Sequence, residues 1–291
     1  MKAVTVKGTI ALAALFAISG AAQAPNDYLD YYVVKVRPEK RADFDGVMKK
    51  IAEANRKNHG DQWLAFQTEY GENNTVYFAS FRKDFAAIDS ANDTFMKAMK
   101  ESFGPGYESM LREINACAVG TRGELHKRRW DLSFNPPANA EDSTRQLGEA
   151  RWLRVSSLHI RPGHTLEFEN LLREMKQTIE KNSPSHTKLV SQMVAGGAGG
   201  VTYYFSVVQP TLGGFDSATT SIRELLGDEA YKEHQDQLAE MVVGTDTMLA
   251  RFLPELSNPP EEIVNVSSDF WAPKAAPMVM AAREKKKKAD R

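Results

Sequence analysis

The chain has 291 residues, of which 42% are hydrophobic, and a formal net charge of −1, so it is long enough for one or two globular domains. Seven basic residues lie from residue 274 onward, against two acidic ones, which leaves an acidic body and argues against a nucleic-acid-binding surface. The single cysteine, Cys117, excludes an intramolecular disulfide and is expected to be a small core residue.

Residues 1–24 have the pattern of a secretory signal peptide. Lys2 and Lys7 form a positive start, Thr9 to Ile18 an apolar run, and Ala22-Gln23-Ala24 a small–x–small cleavage site. The apolar run is too short for the roughly 30 Å of a bilayer core. We therefore expect a periplasmic or secreted protein without an integral membrane span after cleavage; a retained anchor is the alternative.

The rest of the chain contains one pattern twice, about 124 positions apart. Arg37-Pro38 aligns with Arg161-Pro162, and Val119-Gly120-Thr121 aligns with Val243-Gly244-Thr245. The repetition predicts a duplicated domain with copies at 25–137 and 150–260. A polar linker, 138–149, is expected between them, and a disordered basic tail at 261–291.

Each copy predicts the order strand, helix, strand, strand, helix, strand. The first strand ends in Arg-Pro, and the helix after it carries an i, i+3, i+4, i+7 apolar stripe, beginning at Phe44 in one copy and Phe168 in the other. The predicted elements are strands at 31–36, 63–70, 75–81 and 124–130 with a second helix at 107–119, then strands at 152–160, 188–195, 202–208 and 248–253 with a second helix at 231–243.

This order is the ferredoxin-like βαββαβ unit, an α+β fold. A four-stranded sheet with helices on one face leaves its other face open. Apolar residues on both faces of these strands indicate that both faces are covered. We therefore predict two tandem ferredoxin-like units that pair their antiparallel sheets into a pseudo-dimeric α/β barrel.

At this point the chain resembles the dimeric α/β-barrel superfamily, which includes antibiotic-biosynthesis-type monooxygenases and NIPSNAP-like domains. The resemblance covers both copies. It rests on the strand ends Val36-Arg37-Pro38 and Ile160-Arg161-Pro162-Gly163, on Gln67 and Gln192 near a glycine, and on the Tyr-Phe pair of the third strand. It implies a cavity between the two sheets, but the monooxygenase pattern of Asn, Trp or His residues is not matched residue by residue.

Strand alternation places Lys35 and His159 opposite the apolar face of the first strand, so that both would point into the barrel. His159 is a candidate general base or ligand, or a polar residue at the rim. His234 takes the position of Met110 in the other copy, and either binds something or reaches solvent. Haem-using relatives would need an axial histidine, for which His159 and His234 are the candidates; no cofactor is otherwise predicted.

The predicted ligand-binding residues are Lys35, the matched amides Gln67 and Gln192, and the strand aromatics Tyr77 and Tyr204. The amides could instead satisfy the sheet edge. The basic run from His126 to Arg129 could recognise a carboxylate or be a charged edge strand. No metal site is predicted, because the sequence has no helical histidine pair and no Cys/His cluster.

Three functions stay open on these residues. The first is binding of a small apolar or aromatic molecule between the sheets. The second is a monooxygenase-type oxidoreductase, cofactor-free or haem-dependent. The third is a structural or interaction protein without a ligand, and a homodimer is compatible with each. Whichever holds, an active site should be asymmetric, because the copies differ at Lys35/His159, Met110/His234 and the basic strand.

Overall fold

The computed structural model describes residues 27–182, 187–197, 200–217 and 222–273. The predicted signal peptide, 1–24, and the basic residues from 274 onward lie outside the described residues. Within the described part of the chain, no helix is both long and apolar enough to cross a bilayer.

Eight antiparallel strands close into a barrel in the order β1-β3-β2-β8-β5-β7-β6-β4. The strands are β1 (Tyr28–Val36), β2 (Leu64–Tyr70), β3 (Thr75–Arg82), β4 (Ala118–Arg128), β5 (Trp152–Ile160), β6 (Leu189–Ala195), β7 (Thr202–Gln209) and β8 (Val242–Phe252). Each half contributes one four-stranded sheet, β4-β1-β3-β2 or β8-β5-β7-β6, and the sheets join through β2–β8 and β4–β6. The α+β barrel predicted from the sequence is confirmed.

Helices cover the outer surface of the barrel. They are α1 (Arg41–Lys57), α2 (Phe85–Phe103), α3 (Tyr107–Cys117), α4 (Ala140–Glu149), α5 (Thr165–Asn182), α6 (Gly214–Ser217), α7 (Ile222–Leu226), α8 (Asp228–Met241), α9 (Glu261–Val266) and α10 (Ser268–Trp271). The predicted stripe of α1 is buried from Phe44 to Ile51, and Cys117 lies in the same core, as expected.

The sequence missed the longest helix, α2. Its first turn is capped by Asp84, whose side chain accepts a hydrogen bond from the Ala87 backbone N–H. The helix predicted for 107–119 ends at Cys117, and β4 begins at Ala118 instead of residue 124. The early part of β4 is largely exposed and polar, so it lacks the alternation that marks a strand.

The predicted linker and the start of the predicted tail are both helical. Asn139 caps α4 by accepting from the Asp142 backbone N–H at 2.8 Å. Trp271, in α10, is 1% exposed and donates from Nε1 to the Gly148 carbonyl at 2.8 Å. The disordered tail was therefore predicted to start too early: burial of Trp271 against α4 and the barrel orders the chain beyond residue 261.

Two matched serines tie each half to the other. The Ser257 hydroxyl accepts from the Ala65 backbone N–H and donates to the Leu253 carbonyl, both at 2.8 Å. In the other half, the Ser133 hydroxyl accepts from the Val190 backbone N–H at 2.9 Å and donates to the Arg129 carbonyl. Because both serines are fully buried, these contacts fix where the sheets join.

Candidate functional site

The barrel encloses a lumen because strand side chains alternate between its interior and the helices. On β1, Val34 and Val36 pack with α1, whereas Leu29 and Tyr31 face inward. The lower level of the lumen takes one residue from each strand: Leu29, Leu64, Phe81, Arg128, Leu153, Leu189, Val208 and Phe252. Seven of these eight residues are apolar, and Gln146 of α4 and Thr187 also line this space, so the floor is mostly apolar and carries one charged residue, Arg128.

Above this floor lies a cavity of about 450 Å³. Three tyrosines, Tyr31, Tyr77 and Tyr204, share its wall with Phe66 and with small polar side chains such as Ser157. The volume lies within the range of small-molecule sites. The lumen is therefore a cavity between the sheets, with more polar groups than the apolar cavity expected from the sequence.

A row of ionisable residues on β4 forms the most polar part of the wall. Arg122 donates from Nε to Glu124 Oε1 at 2.6 Å, and His126 Nε2 lies 3.2 Å from Glu124 Oε2. Burial acts to raise the pKa of Glu124, but hydrogen bonds from His126 and Arg122 outweigh it and hold the pKa below its ordinary value. Glu124 is thus ionised at neutral pH and links two cavity residues.

His126 is the most enclosed titratable group of the site. It is 3% exposed, and its ring lies between those of Tyr31 and Tyr204, with centroids 4.8 and 4.3 Å away. Burial lowers the pKa of His126, although Glu124 partly opposes that effect, so the imidazole is neutral near pH 7. Its buried Nδ1 has no hydrogen-bond partner among the described residues.

The charged-edge interpretation of the run from His126 to Arg129 was wrong. β4 pairs with β1 on one side and β6 on the other, so it is not an edge strand. Alternation sends His126 and Arg128 into the lumen, while Lys127 is exposed outside. Arg129 leaves the strand and pairs with Glu169.

The three cavity tyrosines are protonated donors at physiological pH. Burial raises the pKa of Tyr31 to about 12, and it also raises the pKa of Tyr77 and of Tyr204. Tyr77 and Tyr204 therefore line the lumen as predicted, each offering a ring face and a hydroxyl group to a ligand.

Lys35 and His159 lie at the open rim of the lumen. Lys35 Nζ is 3.1 Å from Glu72 and donates to the Asn73 carbonyl at 2.6 Å. His159 Nδ1 is 3.0 Å from Thr202 Oγ1, and its Nε2 is 3.4 Å from Asp246. Two interpretations of His159 followed from the sequence, a general base or ligand and a polar residue at the rim. Its position agrees with the second.

Gln67 and Gln192 do not line the lumen. Gln67 donates to Glu69 at 2.6 Å on the exposed surface, and Gln192 accepts from Arg129 at 3.1 Å on the helix-covered side. Their neighbours in the strands, Phe66 and Ser191, have the opposite orientation. The prediction that these amides bind a cavity ligand is corrected by this alternation.

The candidate histidines do not fit a haem ligand. An axial histidine needs a free ring nitrogen directed at an open slot. His234, on α8, is 5% exposed and lines none of the cavities above, and burial lowers its pKa. His159 has a polar partner at each nitrogen, and the Nδ1 atom of His126, which has no partner among the described residues, is buried and does not face an open slot.

Within the described ranges, no cluster of three His, Cys, Asp or Glu side chains could hold a metal ion.

The lumen-facing residues of β4 and β8 show how far the halves differ. Each lumen-facing residue of β4 has a counterpart in β8: Arg122 corresponds to Asp246, Glu124 to Met248, His126 to Ala250, and Arg128 to Phe252. The Glu124–His126 pair thus belongs to one half only. Comparing the copies could have found Glu124 as well as His126, because an ionisable residue aligns with an apolar one at both positions.

No protein-family model matches the chain, and no curated protein sequence matches it. Solved structures do resemble it. An anthrone oxidase-like protein aligns with a TM-score of 0.50 and 8% identity, covering 79% of this chain and 92% of its own. A candidate monooxygenase from Lactobacillus acidophilus aligns with a TM-score of 0.47 and 10% identity, and the alignment covers 78% of this chain and 94% of its own. A chlorite dismutase from Candidatus Nitrospira defluvii aligns with a TM-score of 0.44 and 10% identity, and the alignment covers 84% of this chain and 96% of its own. At such identities the likeness concerns the fold alone: the chain is similar to the dimeric α+β barrel proteins in its eight-stranded architecture.

Proposed function

We propose that the protein binds a small aromatic molecule in the lumen of its barrel. The observation that carries this proposal is the cavity of about 450 Å³ walled by Tyr31, Tyr77 and Tyr204. Tyrosines offer a large ring surface and one hydroxyl each, so together they suit a flat ligand that carries oxygen atoms. A structural protein without a ligand would gain little from a lumen of this size, since empty space forfeits packing.

The test is a matched pair of substitutions on neighbouring residues of β5. Ser157 faces the lumen, whereas Ser156 lies outside and is bonded to Thr247 at 2.9 Å. Ser157→Phe should obstruct the cavity and reduce the fluorescence enhancement of the neutral probe N-phenyl-1-naphthylamine. Ser156→Phe should retain it. Equal enhancement in both variants and the wild type would place the probe elsewhere and refute lumen binding.

A second candidate function is oxygen-dependent oxidation of an aromatic substrate. Its support is the Glu124–His126 pair: an imidazole that donates from Nε2 to the carboxylate keeps an unprotonated Nδ1, which can accept a proton. The substrate would give a proton to Nδ1 and its electrons to dioxygen; for anthrone the balanced change is anthrone plus dioxygen to anthraquinone plus water, with one atom of dioxygen in each product. One structural neighbour is described as anthrone oxidase-like, which makes anthrone a reasonable first substrate.

An oxygen electrode distinguishes this function from binding alone. We expect oxygen uptake with anthrone above the rate without protein, and its loss in His126→Phe, which keeps a ring between the two tyrosines. Uptake unaffected by His126→Phe would exclude this residue as the base, and no uptake by the wild type would leave the binding function only.

We also infer that the chain arose by tandem duplication and is exported. The equal element order of its halves and the pattern of residues 1–24 support these two statements. Mass spectrometry of the protein from a periplasmic fraction should give an N-terminus at Pro25; an intact Met1 would contradict cleavage.

A further inference from the structure

Arg128 is the one charged residue in the apolar floor of the lumen. The other seven floor residues are Leu, Phe or Val. The matching position in the second half holds Phe252, so an aromatic side chain is compatible with this level of the barrel. An arginine at this level places a permanent cation among apolar groups, where desolvation is costly.

No carboxylate pairs with Arg128 within the described part of the chain. Other arginines near the barrel wall do have such partners: Arg122 binds Glu124 at 2.6 Å, and Arg82 binds Asp61 at 2.7 Å. The recorded side-chain contact of Arg128 is with the ring of Trp130, 5.6 Å from the guanidinium carbon. A cation over a ring recovers only part of the desolvation cost of a buried charge.

The floor adjoins the tyrosine-lined cavity. Tyr31, Phe66 and Ser206 line both spaces. At the rim, Lys35 lies beside Glu72, and within the cavity Arg122 lies beside Glu124. Asp246, also at the rim, lies 3.4 Å from His159, so among the described residues Arg128 is the one charged side chain at the level of the floor.

We propose that the lumen ligand is an aromatic carboxylate, whose carboxylate group pairs with the Arg128 guanidinium while its ring lies against Tyr31 and Tyr204. This proposal rests on the proposed binding function and adds the chemical class of the ligand. The planar guanidinium matches a carboxylate with two parallel hydrogen bonds. The ligand's negative charge compensates the half-buried cation of Arg128, and the apolar floor residues contact the edge of its ring.

Isothermal titration of the mature protein with two probes of nearly equal shape tests the proposal. The probes are 2-naphthoate and its neutral amide, 2-naphthamide. A charged hydrogen bond is worth about 1.5–3 kcal/mol, so the wild type should bind naphthoate about 10- to 100-fold more tightly than naphthamide. Arg128→Gln should remove that preference by weakening naphthoate alone. The control Lys127→Gln removes an equal charge from the outer face of the same strand and should change neither affinity.

The outcomes separate this proposal from the binding function. Equal affinity of the wild type for the two probes, or a naphthoate preference that persists in Arg128→Gln, overturns carboxylate recognition and leaves lumen binding intact. Binding of neither probe overturns both. If Arg128→Gln fails to fold, Arg128→Lys takes its place, because it keeps the positive charge and removes the two parallel hydrogen bonds of the guanidinium. The preference for naphthoate over naphthamide should then fall without disappearing. An unchanged preference in Arg128→Lys would mean that the guanidinium geometry does not recognise the carboxylate. The preference of the wild type is decisive by itself.

Discussion

Removal of the Ser257 hydroxyl should loosen the join between the two sheets. Ser257 is fully buried and bonds the Ala65 N–H and the Leu253 carbonyl at 2.8 Å each. In Ser257→Ala the methyl group fills most of the space, but the Ala65 N–H is left buried without its acceptor. Leaving one such group unpaired costs about 1–3 kcal/mol of unfolding free energy.

That loss is measurable by two independent methods. For a chain of this size each kcal/mol lowers Tm by about 2–4 °C, and urea denaturation gives the free energy directly. Hydrogen exchange should report the site, because the Ala65 amide should exchange faster in the variant than in the wild type. Ser133→Ala should lose a similar amount of unfolding free energy, because the Val190 amide is left without its acceptor. The losses of the two variants should add in the double variant, because the two serines share no hydrogen-bond partner.

The control is Ser90→Ala, which removes an exposed hydroxyl bonded only within its own helix. We expect a change within about 0.5 kcal/mol there. If Ser257→Ala is no more destabilising than Ser90→Ala, or if the Ala65 amide keeps its protection, the serine does not hold the sheets together and the reasoning fails.

Three further predictions concern the ionisable groups and helix α10. In Glu124→Gln the pKa of His126 should fall further, because Glu124 is the group that raises it; NMR titration of the imidazole measures this. The pKa of Glu169 is held at about 2, against an ordinary 4.5, so its stabilising effect is complete above about pH 4.5 and is lost as the pH falls towards 2. Tyr203→Phe removes one of its hydrogen bonds, at 2.6 Å, and should flatten the fall in urea midpoint over this range. Trp271→Ala should cost about 3–5 kcal/mol, because the side chain is fully enclosed.

Each of these has its own contrary result. An unchanged or higher pKa of His126 in Glu124→Gln would mean that the Glu124 carboxylate does not raise the pKa of that imidazole. If the urea midpoint of Tyr203→Phe depends on pH as that of the wild type does, the Tyr203 hydroxyl does not contribute to the low pKa of Glu169. For the chain end, Asp269→Ala is the exposed neighbour for comparison, and equal stability of the two variants would show that α10 does not pack as described.

How much of the site could be predicted depended on strand parity. Tyr77 and Tyr204 line the lumen, and their role in binding a ligand stays a prediction. Gln67 and Gln192 were placed on the wrong face, because a matched polar pair does not by itself reveal its orientation. A shift of one residue in a strand reverses the face of every side chain.

The order of the eight strands, the barrel architecture and the positions at which the two copies differ could be predicted from the sequence, whereas helices α2, α4, α9 and α10 could not. The predicted features follow from local periodicity and from comparing the copies, which need no knowledge of distant contacts. Only the tertiary structure decided that β4 is an interior wall and that α4 and α10 pack together at one end of the barrel. It also decided that Glu124, His126 and Arg128 share one lumen. The physical reason is that the environment of a charged strand residue depends on which strands pair beside it, and β6, which pairs with β4, lies more than sixty residues away in the chain.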